Sequence, residues 1–246
     1  MSDFVAPNGN DDPFNYFDRT IAHEMVHAVF ARTLNMDQDI NDDGTAGDRA
    51  IPKWFNEGSA EYIKGGADRL FGEVRSILSK NNTATVDSAI QDVLNAVGDG
   101  QSWGDTSLNY AAGYAAVRYL EANINAKSGG SIADFSGFLA ALNNGGLKDK
   151  TVDDIFQTLP ASSGWGSLSD FIADFKTNAH AFVKNIYTTY DSAFTSNGGD
   201  ATSIDVGAAL GGNAETVVDD TLLLQQMILC KLGLKYSLVQ RKMTLR

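Results

Sequence analysis

Two pairs of residues, each spaced i and i+4, constrain this chain more than anything else in it. The first is His23 and His27, within His23-Glu24-Met25-Val26-His27. The second is Glu57 and Glu61, within Trp54-Phe55-Asn56-Glu57-Gly58-Ser59-Ala60-Glu61-Tyr62. On an α-helix, residues i and i+4 share a face. Each pair therefore sets two metal-ligating side chains on one side of one helix. The chain has three histidines in 246 residues. That two of them fall into this spacing argues against a chance match.

H-E-x-x-H aims two imidazoles at one metal ion and sets the intervening carboxylate close by. Glu24 is thereby placed to take a proton from water activated at that metal. A catalytic zinc usually takes three protein ligands and leaves a fourth position for water. HEMVH supplies two, and Glu57 is expected to complete a His, His, Glu set, with Glu61 as the alternative ligand. Glu61, one turn on, is otherwise placed to accept a hydrogen bond from His23 and fix its tautomer. Asn56 reads equally as a site residue and as a polar residue at a helix start. Trp54 and Phe55 are expected to be core residues that seat the second helix, and His180 to be an ordinary helix residue.

The rest of the chain reads as a succession of helices. Asp12 followed by Pro13 is an N-cap and then proline at the first helical position. The helix should run to about Leu34, with Ile21, Met25, Val26, Val29 and Phe30 as an apolar stripe beside the histidines. Pro52 opens a second helix. Helical periodicity continues over 66–80, 84–98 and 106–127, then through SIADFSGFLAALNN and KTVDDIFQTL. Residues 167–195 read as one long helix or two abutting ones. The 106–127 helix has a small-residue face that lets another helix approach closely. β-branched runs are scarce before residues 200–220, so the fold is expected to be mainly α. Residues 3–10 read as the end of a short strand and a turn.

Residues 35–50 are an acidic loop in which Asp39, Asn41, Asp43 and Gly44 read D-x-N-x-D-G. This is the first half of an EF-hand-type Ca2+ loop. Position twelve would be Ala50, which cannot ligate; Asp37 or Asp48 could substitute. The other reading is a plain Asx-rich turn.

The net charge of −12 and pI of about 4.5 exclude nucleic acid as an expected partner. No run of apolar residues is long enough to suggest a membrane span. Cys230 is the one cysteine, so no intrachain disulfide can form. MSDFVAPNGNDDPF has neither a basic nor an apolar signal region, so it does not read as a secretory signal peptide. Residues 221–246 carry five Lys or Arg and no acid. They read as an amphipathic closing helix, as a segment foreign to a domain spanning 1–220, or as a membrane-surface helix.

With HEMVH and, some 30 residues on, N-E-x-x-x-E over Asn56 to Glu61, the chain resembles the gluzincin metallopeptidases. These include thermolysin, bacterial collagenases and zinc aminopeptidases. The resemblance implies Zn2+ held by His23, His27 and Glu57, with Glu24 as the catalytic base and a protein or peptide as substrate. Several gluzincins carry Y-x-x-G on a later helix, matched here by Tyr110-Ala111-Ala112-Gly113. The resemblance makes Tyr110 the donor to a developing oxyanion, with Tyr114 as fallback and a packed aromatic as the plain reading. The G-x-M-E-N segment of the aminopeptidases does not occur, which favours cleavage inside chains. HEMVHAVFART, WFNEGSAEYIKGGADR, LNYAAGYAAVRYLEANI and IDVGAALGGNAE together resemble the flagellinolysin group, metallopeptidase domains inserted in bacterial flagellins. That resemblance implies an extracellular bacterial setting, displayed on a flagellar filament or secreted. A β-sheet precedes the active-site helix in gluzincins, and its edge strand pairs with substrate. Twenty-two residues precede His23. The expectation is therefore a zincin-like helical subdomain with little N-terminal β-sheet and a truncated start. The competing expectation is a non-catalytic metal-binding insert of a larger extracellular protein.

Overall fold

Short polar side chains at helix starts set most of the boundaries. Thr85, Thr106 and Thr151 each accept from the backbone N–H three residues on, and the side chain found there returns the bond. Asp134 and Ser167 accept in the same way from Gly137 and Asp170. Each such cap satisfies a helix-end donor that otherwise has no partner. Gly65 closes its helix in the left-handed region, at φ 84°, where only glycine sits without cost.

The computed structural model describes residues 13–34, 51–100, 102–143 and 151–196. The described residues form a mainly α fold of nine helices, with no strand among them. In order these are α1 Pro13–Thr33, α2 Lys53–Lys64, α3 Ala67–Lys80, α4 Val86–Asn95 and α5 Ser107–Lys127. Then come α6 Phe135–Leu142, α7 Val152–Gln157, α8 Leu168–Asn178 and α9 His180–Ser196. Residues 167–195 are thus two abutting helices, broken at Ala179. The expected strand near Val5, the acidic loop at 35–50, residues 200–220 and the basic tail at 221–246 lie outside the described residues. No described helix is long and apolar enough to cross a membrane.

α2 is the hub, packed against both α1 and α5. Gly58 and Gly113 let α2 and α5 approach until their backbones touch, as the small-residue face predicts. α3 packs on α4, α5 and α9, and α6, α7 and α8 follow one another around the far end of α5. The core between them is aromatic. Trp54 stacks on Phe171 at 5.3 Å, and Phe171 meets Phe156 at 5.1 Å and Trp165 at 5.0 Å. Phe55 is wholly buried and lies 6.2 Å from Phe30 of α1. Burying a side chain of that size contributes roughly 2–3 kcal/mol, which fixes α1 against α2.

The buried stripe of α1 differs from the expected one. Ala22, Val26 and Phe30, with Leu34 just past the helix end, are buried, while Ile21 and Met25 are 40% and 43% exposed. At 100° per residue Ile21 and Met25 fall on the side of α1 away from α2. Hydrophobic spacing marks both arcs; only the packed neighbour decides which one is covered.

Candidate metal centre

His23 and His27 stand one turn apart on α1, with ring planes 80° apart. Their Nε2 atoms are 3.1 Å from each other. Oε2 of Glu57, from α2, is 3.4 Å from Nε2 of His23 and 3.2 Å from Nε2 of His27. The three atoms form a nearly equilateral triangle. Tetrahedral coordination with bonds of about 2.0–2.1 Å spaces its donors about 3.3 Å apart. The His23, His27 and Glu57 group can therefore hold a metal ion.

The outward nitrogens settle which atoms face the triangle. Nδ1 of His27 lies 3.1 Å from Oδ1 of Asn56. An amide oxygen only accepts, so that nitrogen carries the proton and the lone pair sits on Nε2. Nδ1 of His23 lies 3.2 Å from Oε1 of Glu61. This second contact is close but bent, without the alignment of a hydrogen bond. The carboxylate's charge nonetheless favours a proton on Nδ1. With both imidazoles neutral, as metal binding requires, three lone-pair acceptors then converge with no proton of their own between them.

Glu61 has no exposed surface. A carboxylate buried alone would be costly. Here Lys64 brings Nζ to 2.8 Å of Oε1, and Arg69 brings Nε to 2.8 Å of Oε2. Burial opposes ionisation of Glu61, yet His23, Lys64 and Arg69 outweigh it and hold its pKa down at about 2. Burial likewise opposes ionisation of Glu57, and the two imidazoles lower it to about 2. Burial works against protonating His23, but Glu57 and Glu61 prevail and raise its pKa above 6.5. For His27 the bond to Glu57 is the largest influence and raises it as well. Both imidazoles thus sit in a strongly negative setting.

Tyr110 lies in the first turn of α5 with its ring centre 6.3 Å from that of His23. Trp103 packs against Tyr110 in a T-shaped pair with ring centres 5.5 Å apart. Burial and the nearby Glu57 raise the phenol's pKa above 10, so at neutral pH it is an O–H donor. Glu24 is exposed at the mouth of the site. It lines, with His23, Tyr110, Lys64, Arg69 and Ser107 among others, a cleft of about 500 Å3. Tyr114 is fully buried against Gly66, away from that cleft.

The structure thus brings His23, Glu24, Glu61 and Tyr110 together around one cleft, and His27, Glu57 and Asn56 join them through His23 and the donor triangle rather than by lining the cleft. His180 is elsewhere, with Nε2 3.2 Å from the carbonyl oxygen of Asp87. Trp54 and Phe55 are core residues. The candidate Ca2+ residues Asp39, Asn41 and Asp43 lie outside the described residues. Lys64 and Arg69 were not anticipated. Lys64 is legible in retrospect, three residues after Glu61 on the same helix, but Arg69 comes from the next helix and no local spacing announces it. No family model, curated protein or solved structure matches the chain.

Proposed function

We propose that the chain is a zinc-dependent endopeptidase that hydrolyses peptide bonds within proteins or peptides. The observation that carries this reading is the triangle of Nε2 of His23, Nε2 of His27 and Oε2 of Glu57, with edges of 3.1 to 3.4 Å. Two imidazoles with one carboxylate suit zinc, whereas calcium and magnesium favour all-oxygen sets. A zinc ion held there would supply Lewis acidity toward a carbonyl and a water.

The remaining chemistry belongs to side chains of this chain. Glu24 lines the cleft together with His23, and its carboxylate is the group that would take a proton from the attacking water and return it to the departing amine. Tyr110, protonated at neutral pH, can donate to the oxygen that gains charge. Asn56 and Glu61 hold the imidazole tautomers that leave both Nε2 lone pairs facing inward. The resemblance to gluzincins supports peptide as the substrate class, and the flagellinolysin-like stretches support an extracellular bacterial setting.

The test is metal content together with proteolysis of an unfolded protein, for the native chain and for Glu24→Gln. One equivalent of zinc, cleavage lost on chelation, and a Glu24→Gln protein that binds zinc but cleaves at least about a hundredfold more slowly are expected. Zinc bound without chelator-sensitive cleavage would instead mark a non-catalytic metal module, and no zinc at all would overturn the site.

A further inference from the structure

Arg69 makes three contacts that join otherwise separate parts of the cleft. Its Nε donates to Oε2 of Glu61 on α2 at 2.8 Å. Its Nη1 donates to Oγ of Ser107 at the start of α5 at 3.2 Å. Its guanidinium carbon lies 5.3 Å from the centre of the Tyr110 ring, within the range of a cation–π contact. Glu61 in turn faces Nδ1 of His23, and the rings of His23 and Tyr110 are 6.3 Å apart. His23, Glu61, Arg69 and Tyr110 therefore form a closed circuit from three helices, α1, α2 and α5, closed by a side chain from a fourth, α3.

We propose that Arg69 is a positioning residue that locks the carboxylate orienting His23 and the phenol of Tyr110 to one another, so that one guanidinium sets both metal affinity and the placement of the phenol. The geometry requires arginine. Its planar fork donates along two directions while its face stacks on a ring, and a lysine ammonium can replace the charge but not the stacking. Arg69 reaches no metal donor atom itself, so it acts through Glu61 and Tyr110. Lys64 also holds Glu61, at 2.8 Å from its Oε1. The affinity half of the proposal rests on the triad alone, and the turnover half rests on the hydrolase reading above.

The experiment compares the native chain with Arg69→Ala, Arg69→Lys and Tyr110→Phe, and with Arg75→Ala as a control on the same helix. Zinc affinity is measured by competition with a coloured chelator, and turnover by kcat and KM on a peptide. Loss of a partner outside the metal's own ligands typically weakens binding about 10–100-fold, and Arg69→Ala is expected in that range. Arg69→Lys should recover most of the zinc affinity but leave kcat low at unchanged KM. Tyr110→Phe should lower kcat with zinc affinity intact. Arg75→Ala should change neither. Native zinc affinity in Arg69→Ala overturns the proposal, as does full recovery of kcat in Arg69→Lys. Should Arg69→Ala not fold, the split between affinity and kcat in Arg69→Lys decides alone. A native chain that binds zinc and cleaves nothing would count against the hydrolase reading only, and the affinity comparison would still decide the role of Arg69.

Discussion

Gly58 and Gly113 meet backbone to backbone where α2 crosses α5. A Cβ on Gly58 would collide with the carbonyl of Gly113, and one on Gly113 would stand 2.9 Å from the carbonyl oxygen of Trp54. Glu57 precedes the first glycine and Tyr110 lies one turn before the second. The closeness of this crossing is what brings a metal ligand and a cleft phenol within reach of the same imidazole.

Gly113→Ala tests that relationship. In an exposed helix the change gains up to about 1 kcal/mol of helix propensity. Here the added methyl meets backbone that cannot rotate away, and overpacking of this kind costs about 1–3 kcal/mol. The expected net result is lower stability and weaker zinc binding, read by denaturant melts and chelator competition. Gly72→Ala is the counterpart, because nothing lies within 4 Å of its Cβ position on α3. It should stabilise by roughly 0.5–1 kcal/mol. If both variants move stability the same way, the crossing is not tight.

Asn56 gives a second expectation. Its Oδ1 is the acceptor for Nδ1 of His27 at 3.1 Å. Asn56→Ala should lower zinc affinity about 10–100-fold, with little change in the melting temperature of the metal-free protein because the side chain is only half-buried. Asn56→Asp keeps an acceptor and should retain binding. Equal affinity in all three proteins would mean that the imidazole is oriented by something else.

What the sequence makes legible here is local. The pairs His23/His27 and Glu57/Glu61 and the small face of α5 all follow from spacing within one helix. Asn56 was half visible, because a residue beside a ligand can face the site or the solvent depending on how α1 lies across α2. The bridge from Arg69 to Tyr110 was not visible. It depends on the turn at Gly65 and on the distance between α3 and α5, which no periodicity encodes. The exposure of Ile21 and Met25 fails for the same reason: a stripe can be counted, but its neighbour cannot.

Zinc itself should stabilise the fold, since His23 and His27 come from α1 and Glu57 from α2. At a free concentration 100 times the dissociation constant, a ligand of the native state adds about 2.7 kcal/mol. For a chain of this size each kcal/mol is worth about 2–4 °C, so a rise of about 5–10 °C is expected in a thermal scan. His27→Ala should abolish the rise and Glu24→Gln should keep it. Loss of the rise in Glu24→Gln would make Glu24 a ligand and remove it from the role of base.

The pH dependence of stability should reverse on metal binding. In the metal-free protein the pKa values of His23 and His27 lie above 6.5. A raised value means that the folded state holds the proton more tightly than the unfolded chain. The resulting stability is complete below 6.5 and is lost as pH rises through the raised values. Glu57 and Glu61 are lowered from 4.5 to about 2, so their contribution is present above 4.5 and is lost as pH falls toward 2. The metal-free protein should therefore be most stable between these limits, where the carboxylates are ionised and the imidazoles protonated. Zinc needs both imidazoles deprotonated and competes with those protons, so its affinity should climb as pH rises past 6.5. Thermal scans with chelator and with excess zinc across this range should diverge, the first falling and the second rising relative to it. Replacing either histidine by glutamine should flatten the metal-free curve above 6.5, and a native metal-free protein whose midpoint stays level there would show that the imidazoles do not hold their protons against Glu57 and Glu61.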